Sequence, residues 1–263
     1  MNKIPCYQID AFTDELFGGN PACVVVLQSW LPDNMLLKIT QENAVPETAF
    51  FIPEGEGFHL RWFTPEHEMD LCGHATLATA HVLKTELGYT GDRIRFNSKS
   101  GILEVEAKDN SYTLNFPSRK PDQAELPEII AQSLNIKPVK VLKSRDYFLV
   151  YETEQDILNL KPDREKLNQI STAPGGIIVT AKGNDSDFVS RFFVPQASIF
   201  EDPVTGSAHC SLIPYWSEQL GKKEMNARQL SDRLGKLQCT HLGDRVLISG
   251  TAMTYSAGYI FIP

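Results

Sequence analysis

The chain has 263 residues, of which 42% are hydrophobic, and a formal net charge of −8. This length suits one or two domains with a large core, and the negative charge disfavours general nucleic-acid binding. No run of apolar residues is long enough to predict a membrane span. The five cysteines lack the spacing of a disulfide framework, which predicts reduced thiols and a cytoplasmic protein.

The predicted elements are mostly strands, with a few helices between them. Short apolar or alternating segments predict strands at 23–27, 48–52, 58–63, 103–106 and 111–116, the last two forming a hairpin. Helices are predicted at 33–42, 73–87, 125–134, 163–170, 206–220 and 226–234. The helices at 73–87 and 206–220 carry apolar or small residues nearly all round, which predicts that both are buried.

Two stretches of the chain look like copies of one another. The sequence RWFTP at 61–65 is followed by CGHA at 72–75, and RFFVP at 191–195 is followed by TGSA at 205–208. In both copies, 15 residues separate the glycine of the second motif from the glycine that ends a helical run (73 to 88, and 206 to 221). A repeated strand, loop and helix predicts an internal duplication.

The predicted fold class is α+β, with two pseudo-symmetric lobes that arose from this duplication. Each lobe is expected to be a curved, mostly antiparallel sheet wrapped around a central helix. Proline and charge interrupt the pattern just after Phe116, so the first lobe is expected to end at residue 117. The second lobe then covers 118–250.

Each central helix is predicted to begin with a glycine, Gly73 or Gly206, beside a small or polar side chain. The first N–H groups of a helix have no partner within the helix and lie at the positive end of its dipole. Two such helix starts facing one cleft between the lobes would bind a small anionic ligand.

Five motifs together resemble the PhzF family of phenazine-biosynthesis-like isomerases. They are FTDELFGGNP at 12–21, ETAF at 47–50, RWFTP at 61–65, LCGHAT at 71–76 and EDPVTGSA at 201–208. The resemblance implies a diaminopimelate-epimerase-like fold in which a last strand at 255–261 returns to the first lobe, so that 251–263 completes it. It also implies a homodimer and a reaction that needs no cofactor and no metal.

The resemblance further implies roles for individual residues. Glu47 is expected to be the catalytic acid/base, which takes a proton from carbon and returns it. His74, Asp202 and Ser207 are expected to line the substrate pocket and to assist or orient proton transfer. The substrate is expected to be small and to carry a carboxylate, held between the lobes near the two helix starts.

Each of these residue types also has an ordinary structural role. Glu47 could be a surface glutamate at a strand end, and His74 a hydrogen-bonded core histidine. Ser207 could cap its helix. Asp202 and Asn20 both precede proline and could form turns, although Asn20 could equally contact the ligand.

The position that matches Cys72 in the second copy distinguishes this chain from a second class of enzyme. Amino-acid epimerases and racemases of the same fold use two cysteines, one on each side of the substrate. Here the position of the second cysteine is occupied by Thr205, and an alcohol without an adjacent base is a poor substitute for a thiol. The alternatives left open are an epimerase or racemase, and a non-catalytic protein that binds a small ligand.

Overall fold

The computed structural model describes residues 1–172 and 175–263, which fold into many strands and few helices. The strands are β1 (Asn2–Ala11), β2 (Asn20–Val26), β3 (Glu47–Glu54), β4 (Gly57–Phe63), β5 (Glu68–Met69), β6 (Arg93–Ser98), β7 (Gly101–Lys108), β8 (Ser111–Pro117), β9 (Asp122–Gln123), β10 (Lys140–Lys143), β11 (Tyr147–Val150), β12 (Ile177–Lys182), β13 (Phe188–Phe193), β14 (Glu224–Gln229), β15 (Gly235–His241), β16 (Arg245–Gly250) and β17 (Ala252–Ile262). The helices are α1 (Asp33–Asn43), α2 (Gly73–Thr85), α3 (Glu128–Gln132), α4 (Glu154–Asn159), α5 (Arg164–Leu167) and α6 (Gly206–Leu220).

The chain forms two compact units. The first unit consists of Met1–Asn115 together with Ser249–Pro263, and the second unit consists of Phe116–Ile248. The last strand, β17, belongs to the first unit because it pairs antiparallel with β1, from Asn2 opposite Ile262 to Ala11 opposite Ala252. No helix in the described part of the chain is both long enough and apolar enough to cross a membrane.

The same succession of strand pairings occurs in both units. In the first unit, β1 to β4 pair in order as antiparallel, parallel and antiparallel neighbours, after which β4 pairs parallel with β6, and β6 antiparallel with β7. Strands β10 to β15 of the second unit pair with the same alternation. In each unit the long helix lies, along the chain, between the two strands of a parallel pair. Helix α2 comes between β4 and β6, and helix α6 comes between β13 and β14. This agreement is what an internal duplication predicts.

Both long helices are buried, as their apolar composition predicts. Every residue of α2 from His74 to Leu83 is buried, and the helix contacts β1, β2, β3, β7 and β17. Every residue of α6 from Ala208 to Ser217 is buried, and this helix contacts β14 and β15. The prediction of an α+β fold with sheets around central helices is therefore confirmed.

The predicted helix at 226–234 is wrong, because residues Glu224–Gln229 form strand β14. The side chains of this segment alternate between exposed and buried, and the strand lies between β13 and β15. Residues with good helix propensity can form a strand when both neighbours supply hydrogen bonds, since tertiary context overrides propensity.

The other short helices differ from their predicted lengths. The helix predicted at 125–134 is reduced to α3, and the helix predicted at 163–170 to α5. Helix α4 was not predicted, although Thr153 and Asp156 form a capping box at its start. The spacing of three residues between Thr153 and Asp156 is the sequence signal for the start of this helix.

Arg191 of β13 links three segments of the second unit. Its Nε and Nη2 atoms each donate to a carboxylate oxygen of Glu201, both at 2.8 Å. Its Nη1 atom donates to the carbonyl oxygens of Ile157 and Leu160, at 3.0 and 2.8 Å. Removal of the guanidinium would therefore leave a largely buried carboxylate and two carbonyl groups without these donors.

We predict that Arg191→Met lowers the free energy of unfolding by about 2 kcal/mol, because partly buried acceptors lose charged donors. Chemical denaturation would measure the change. The matched control is Lys166→Met, which removes a half-exposed cation paired with Asp163 in the same unit. Its expected cost is below about 0.5 kcal/mol. Equal costs for the two variants would contradict the prediction.

Candidate active site

Glu47 and Asn20 lie at the starts of neighbouring strands in the first unit. Glu47 is the first residue of β3, which pairs parallel with β2 so that Ala22 lies opposite Glu47. Asn20 begins β2 and is fully buried. The Glu47 side chain is only 17% exposed, so it is not an ordinary surface glutamate.

His74 joins these residues to the start of α2. It is the second residue of the helix, and its side chain is 5% exposed. Its Nε2 atom lies 3.1 Å from Glu47 Oε2, and its Nδ1 atom lies 3.2 Å from Asn20 Nδ2 and 3.6 Å from Cys72 Sγ. Three polar side chains, from two strands and one helix start, therefore meet around one imidazole.

The contact between His74 and Glu47 is close but poorly aligned. Within the described residues, neither His74 Nε2 nor Glu47 Oε2 has a hydrogen-bond partner of acceptable geometry, although both atoms are buried. Buried polar atoms are normally satisfied, and exceptions concentrate where a protein handles a ligand or a proton. This unsatisfied pair is therefore a candidate for proton exchange.

The charge state of His74 follows from its neighbours. Burial disfavours the imidazolium, but the Cys72 sulfur and the Glu47 carboxylate together favour it more strongly, so the pKa of His74 is raised well above its usual value. Burial also raises the pKa of the Cys72 thiol, so this sulfur is a weaker acid than that of an exposed cysteine. Glu47 is the second group that favours a proton on the ring.

The orientation of the Asn20 amide is coupled to this proton. Asn20 Nδ2 lies 3.2 Å from His74 Nδ1 and donates to it when the ring is neutral. When the ring is protonated, Nδ1 is a donor, and the amide must turn its Oδ1 atom towards the ring to accept from it. Asn20 therefore contacts the proton-carrying group as well as beginning its strand.

In the second unit, Asp202 is held beside the start of α6. The N-cap residue of this helix is Thr205, whose Oγ1 atom donates to Asp202 Oδ2 at 2.6 Å. Gln229 connects the two residues, since its Oε1 atom accepts from Thr205 N and its Nε2 atom donates to Asp202 O, both at 2.8 Å. No local pattern marks Gln229 as part of this group, because it comes from a strand 24 residues further along the chain.

Ser207 does not cap its helix, so that alternative is wrong. It is the second residue of α6, the position that His74 has in α2, and its Oγ atom accepts a hydrogen bond from Arg145 Nη2 at 3.0 Å. Neither helix has a side-chain hydrogen bond at its N-cap, and Gly73 and Gly206 are the first helical residues, as predicted. Arg145 was not identified from the sequence.

The first-unit cluster also has the composition of a metal site, since donor atoms of Glu47, Cys72 and His74 all lie within 4.8 Å of one another. However, the ring turns Nδ1 towards Cys72 and Nε2 towards Glu47. The two short contacts of the ring therefore involve different nitrogens, an arrangement that suits proton exchange with both neighbours.

The structure thus places the predicted site residues in two local groups. Asn20, Glu47 and His74 contact one another in the first unit, and Asp202 and Ser207 flank the start of α6 in the second unit. A single substrate that contacts both groups remains a prediction.

Comparisons with known proteins agree with this fold. A family model for phenazine biosynthesis-like proteins, PhzC-PhzF, matches residues 9–258. Two proteins described as uncharacterized isomerases, both from Pseudomonas aeruginosa, are 43% and 46% identical to this chain. The first match covers 99% of this chain and 100% of the relative, and the second covers 98% of each.

Solved structures support the same assignment. A crystal structure of a phenazine biosynthesis protein of the PhzF family from Enterococcus faecalis has a TM-score of 0.95 and 42% identity, and the match covers 99% of this chain and 100% of that one. A hydroxyproline epimerase from Agrobacterium vitis shares the fold alone, with a TM-score of 0.62 and 9% identity over 98% of this chain and 92% of that one. The architecture is thus one that isomerases of the epimerase type use. This chain belongs to the PhzC-PhzF family and is an isomerase.

The raised pKa of His74 has a consequence for stability. A group whose pKa is higher in the folded state stabilises the fold fully below its unfolded value, near 6.5, and this contribution is lost as pH rises through the folded value. We predict that the stability difference between the wild type and His74→Gln decreases as the pH is raised. Denaturant unfolding of both proteins on either side of neutrality would measure it. A difference that is constant, or that grows with pH, would contradict the raised pKa.

Proposed function

We propose that this isomerase moves a proton between carbon atoms of a small carboxylate-bearing substrate, without a cofactor, and that Glu47 is its acid/base. The observation that carries the proposal is the buried contact between Glu47 Oε2 and His74 Nε2, in which neither atom is satisfied by a hydrogen bond. A general base needs an unengaged lone pair within reach of the proton that it removes. The Glu47 carboxylate has such a lone pair.

In the proposed step, Glu47 takes a proton from one carbon of the substrate while the adjacent double bond shifts. The same carboxyl group then returns the proton to another carbon, so that the atoms and charges of substrate and product balance. His74 stabilises the carboxylate through its Nε2 atom, and the Asn20 amide fixes the plane of the ring. Asp202 and Ser207 bind and orient the substrate in this proposal.

We predict that Glu47→Gln slows proton exchange by at least about a hundredfold, because the variant keeps the shape of the side chain but cannot accept the proton. The measurement is deuterium incorporation, by mass spectrometry, into a panel of small unsaturated carboxylic acids incubated with the protein in deuterated water. Binding of the same acids should change little.

Glu42→Gln is the matched control, since it makes the same chemical change at an exposed position in the first unit. Its exchange rate should equal that of the wild type. Exchange by Glu47→Gln at the wild-type rate would exclude Glu47 as the base. Loss of binding together with exchange would favour the alternative of a role in ligand binding.

The alternative of a two-thiol epimerase has less support. The Thr205 hydroxyl, at the position of the second cysteine, already donates to the Asp202 carboxylate. The carboxylate is the adjacent base that was not apparent from the sequence, but an alcohol remains a far weaker acid than a thiol. Burial also raises the pKa of Cys72, whereas a thiol acts as a base only when it is deprotonated.

We predict that Cys72→Ser retains proton exchange within about tenfold of the wild type, because the carboxylate of Glu47 is unchanged and the replacement is close in size. The same deuterium assay would measure it. A loss as large as that expected for Glu47→Gln would instead identify Cys72 as an acid/base and would favour the epimerase mechanism.

A further inference from the structure

The turn between β10 and β11 is attached to the first turns of α6. Ser144 Oγ lies 2.8 Å from Ser211 Oγ, and Arg145 Nη2 donates to Ser207 Oγ at 3.0 Å. Ser207 and Ser211 are four residues apart and therefore lie on one face of the helix. Two consecutive residues of the turn thus fix its position against the helix start.

Arg145 is itself held in place by a buried carboxylate. Its Nε and Nη2 atoms donate to Asp146 at 3.0 to 3.2 Å, and Asp146 is only 1% exposed. Asp146 Oδ1 also accepts from Gly176 N at 2.8 Å. A side chain at Gly175 would not fit, since an added Cβ would lie 2.7 Å from Asp146 Oδ1. The plane of the guanidinium is therefore set by a carboxylate that is buried and is itself hydrogen-bonded to the backbone.

The hydrogen bond from Arg145 determines what Ser207 can do. A hydroxyl oxygen that accepts from a guanidinium has its own proton directed elsewhere, so Ser207 is left as a donor. Within residues 1–172 and 175–263, none accepts a hydrogen bond from Arg145 Nη1, and the arginine side chain is 27% exposed. Ser207 and Nη1 together offer several N–H and O–H donors to a ligand that only accepts.

We propose that Arg145, held by Asp146, is the residue that gives this isomerase its preference for a carboxylate. It would orient the Ser207 hydroxyl towards the carboxylate of the substrate and donate to the same group through Nη1. This inference rests on the proposed function, which it deepens by assigning substrate binding to the second unit. Directed donors of this kind discriminate strongly between a carboxylate and a neutral amide, because the amide presents donors of its own.

The contrast with the first unit supports this assignment. His74, at the matching helix position, contacts the carboxylate of Glu47, whereas Ser207 contacts a guanidinium. A substrate carboxylate would meet O–H and N–H donors from Ser207 and Arg145 in the second unit, whereas in the first unit the matching side chain already contacts a carboxylate. If Arg145 had a purely structural role, its replacement would not change the difference in affinity between an anionic and a neutral ligand.

The test compares benzoate with benzamide, two small probes of nearly the same shape that differ in charge, by titration calorimetry. The wild type should bind benzoate more tightly. Arg145→Met should weaken benzoate binding by about tenfold or more, the effect of losing a hydrogen bond to a charged group, and should leave benzamide binding unchanged. Arg145→Lys should recover part of the loss. The matched control is Arg228→Met, which removes a cation of the second unit that is paired with Asp185.

Ser207→Ala keeps the ion pair between Arg145 and Asp146 and so tests the proposal even if Arg145→Met folds poorly. It should also lose affinity for benzoate selectively. Retention of the benzoate preference by either variant, or a wild type that does not distinguish the two probes, would overturn the proposal. Glu47→Gln should keep the preference while it loses proton exchange. Normal exchange by that variant would refute the proposed base without affecting the role of Arg145.

Discussion

The site geometry in each unit depends on an arginine that forms a two-point ion pair with a glutamate just before the central helix. Arg61 donates to Glu68 at 2.7 and 3.0 Å, and Arg191 donates to Glu201 at 2.8 Å through both nitrogens. Each glutamate lies four residues before the N-cap of its helix (68 to 72, and 201 to 205). Because α2 and α6 are apolar nearly all round, burial alone does not determine their rotation. A planar, two-point ion pair fixes the loop that leads into each helix, and with it the direction of the first side chains.

The same scaffold then presents different chemistry at the two helix starts. The second helical residue is His74 in one unit and Ser207 in the other, and the partner of each comes from a different element, Glu47 from a strand and Arg145 from a turn. Since a duplication supplies two equivalent positions, each can specialise without loss of the other. In the proposed mechanism, one position handles the proton and the other recognises the anion. Two units with the same strand order can therefore perform different tasks.

The sequence was sufficient for features that are repeated or periodic. The duplicated motifs predicted the two buried helices and their first residues, Gly73 and Gly206. Contacts between distant segments could not be predicted, because no local pattern marks them. Arg145 reaches Ser207 across 62 residues, and Gln229 reaches Thr205 across 24. The strand β14 was missed for the same reason, since its conformation is determined by the strands on either side.

The difference between Cys72 and Thr205 limits the reactions that this site can perform. A racemase inverts a centre by removing a proton from one face and adding one to the other, which requires two groups of comparable acidity. Here one of the two matching positions has a buried thiol with a raised pKa, and the other has an alcohol that donates to Asp202. Neither is poised to exchange a proton at neutral pH, whereas the Glu47 carboxylate beside His74 retains an unsatisfied oxygen. A single carboxylate can remove a proton and return it only where it can reach, which favours transfer between neighbouring positions on one face of the substrate over inversion at a single carbon.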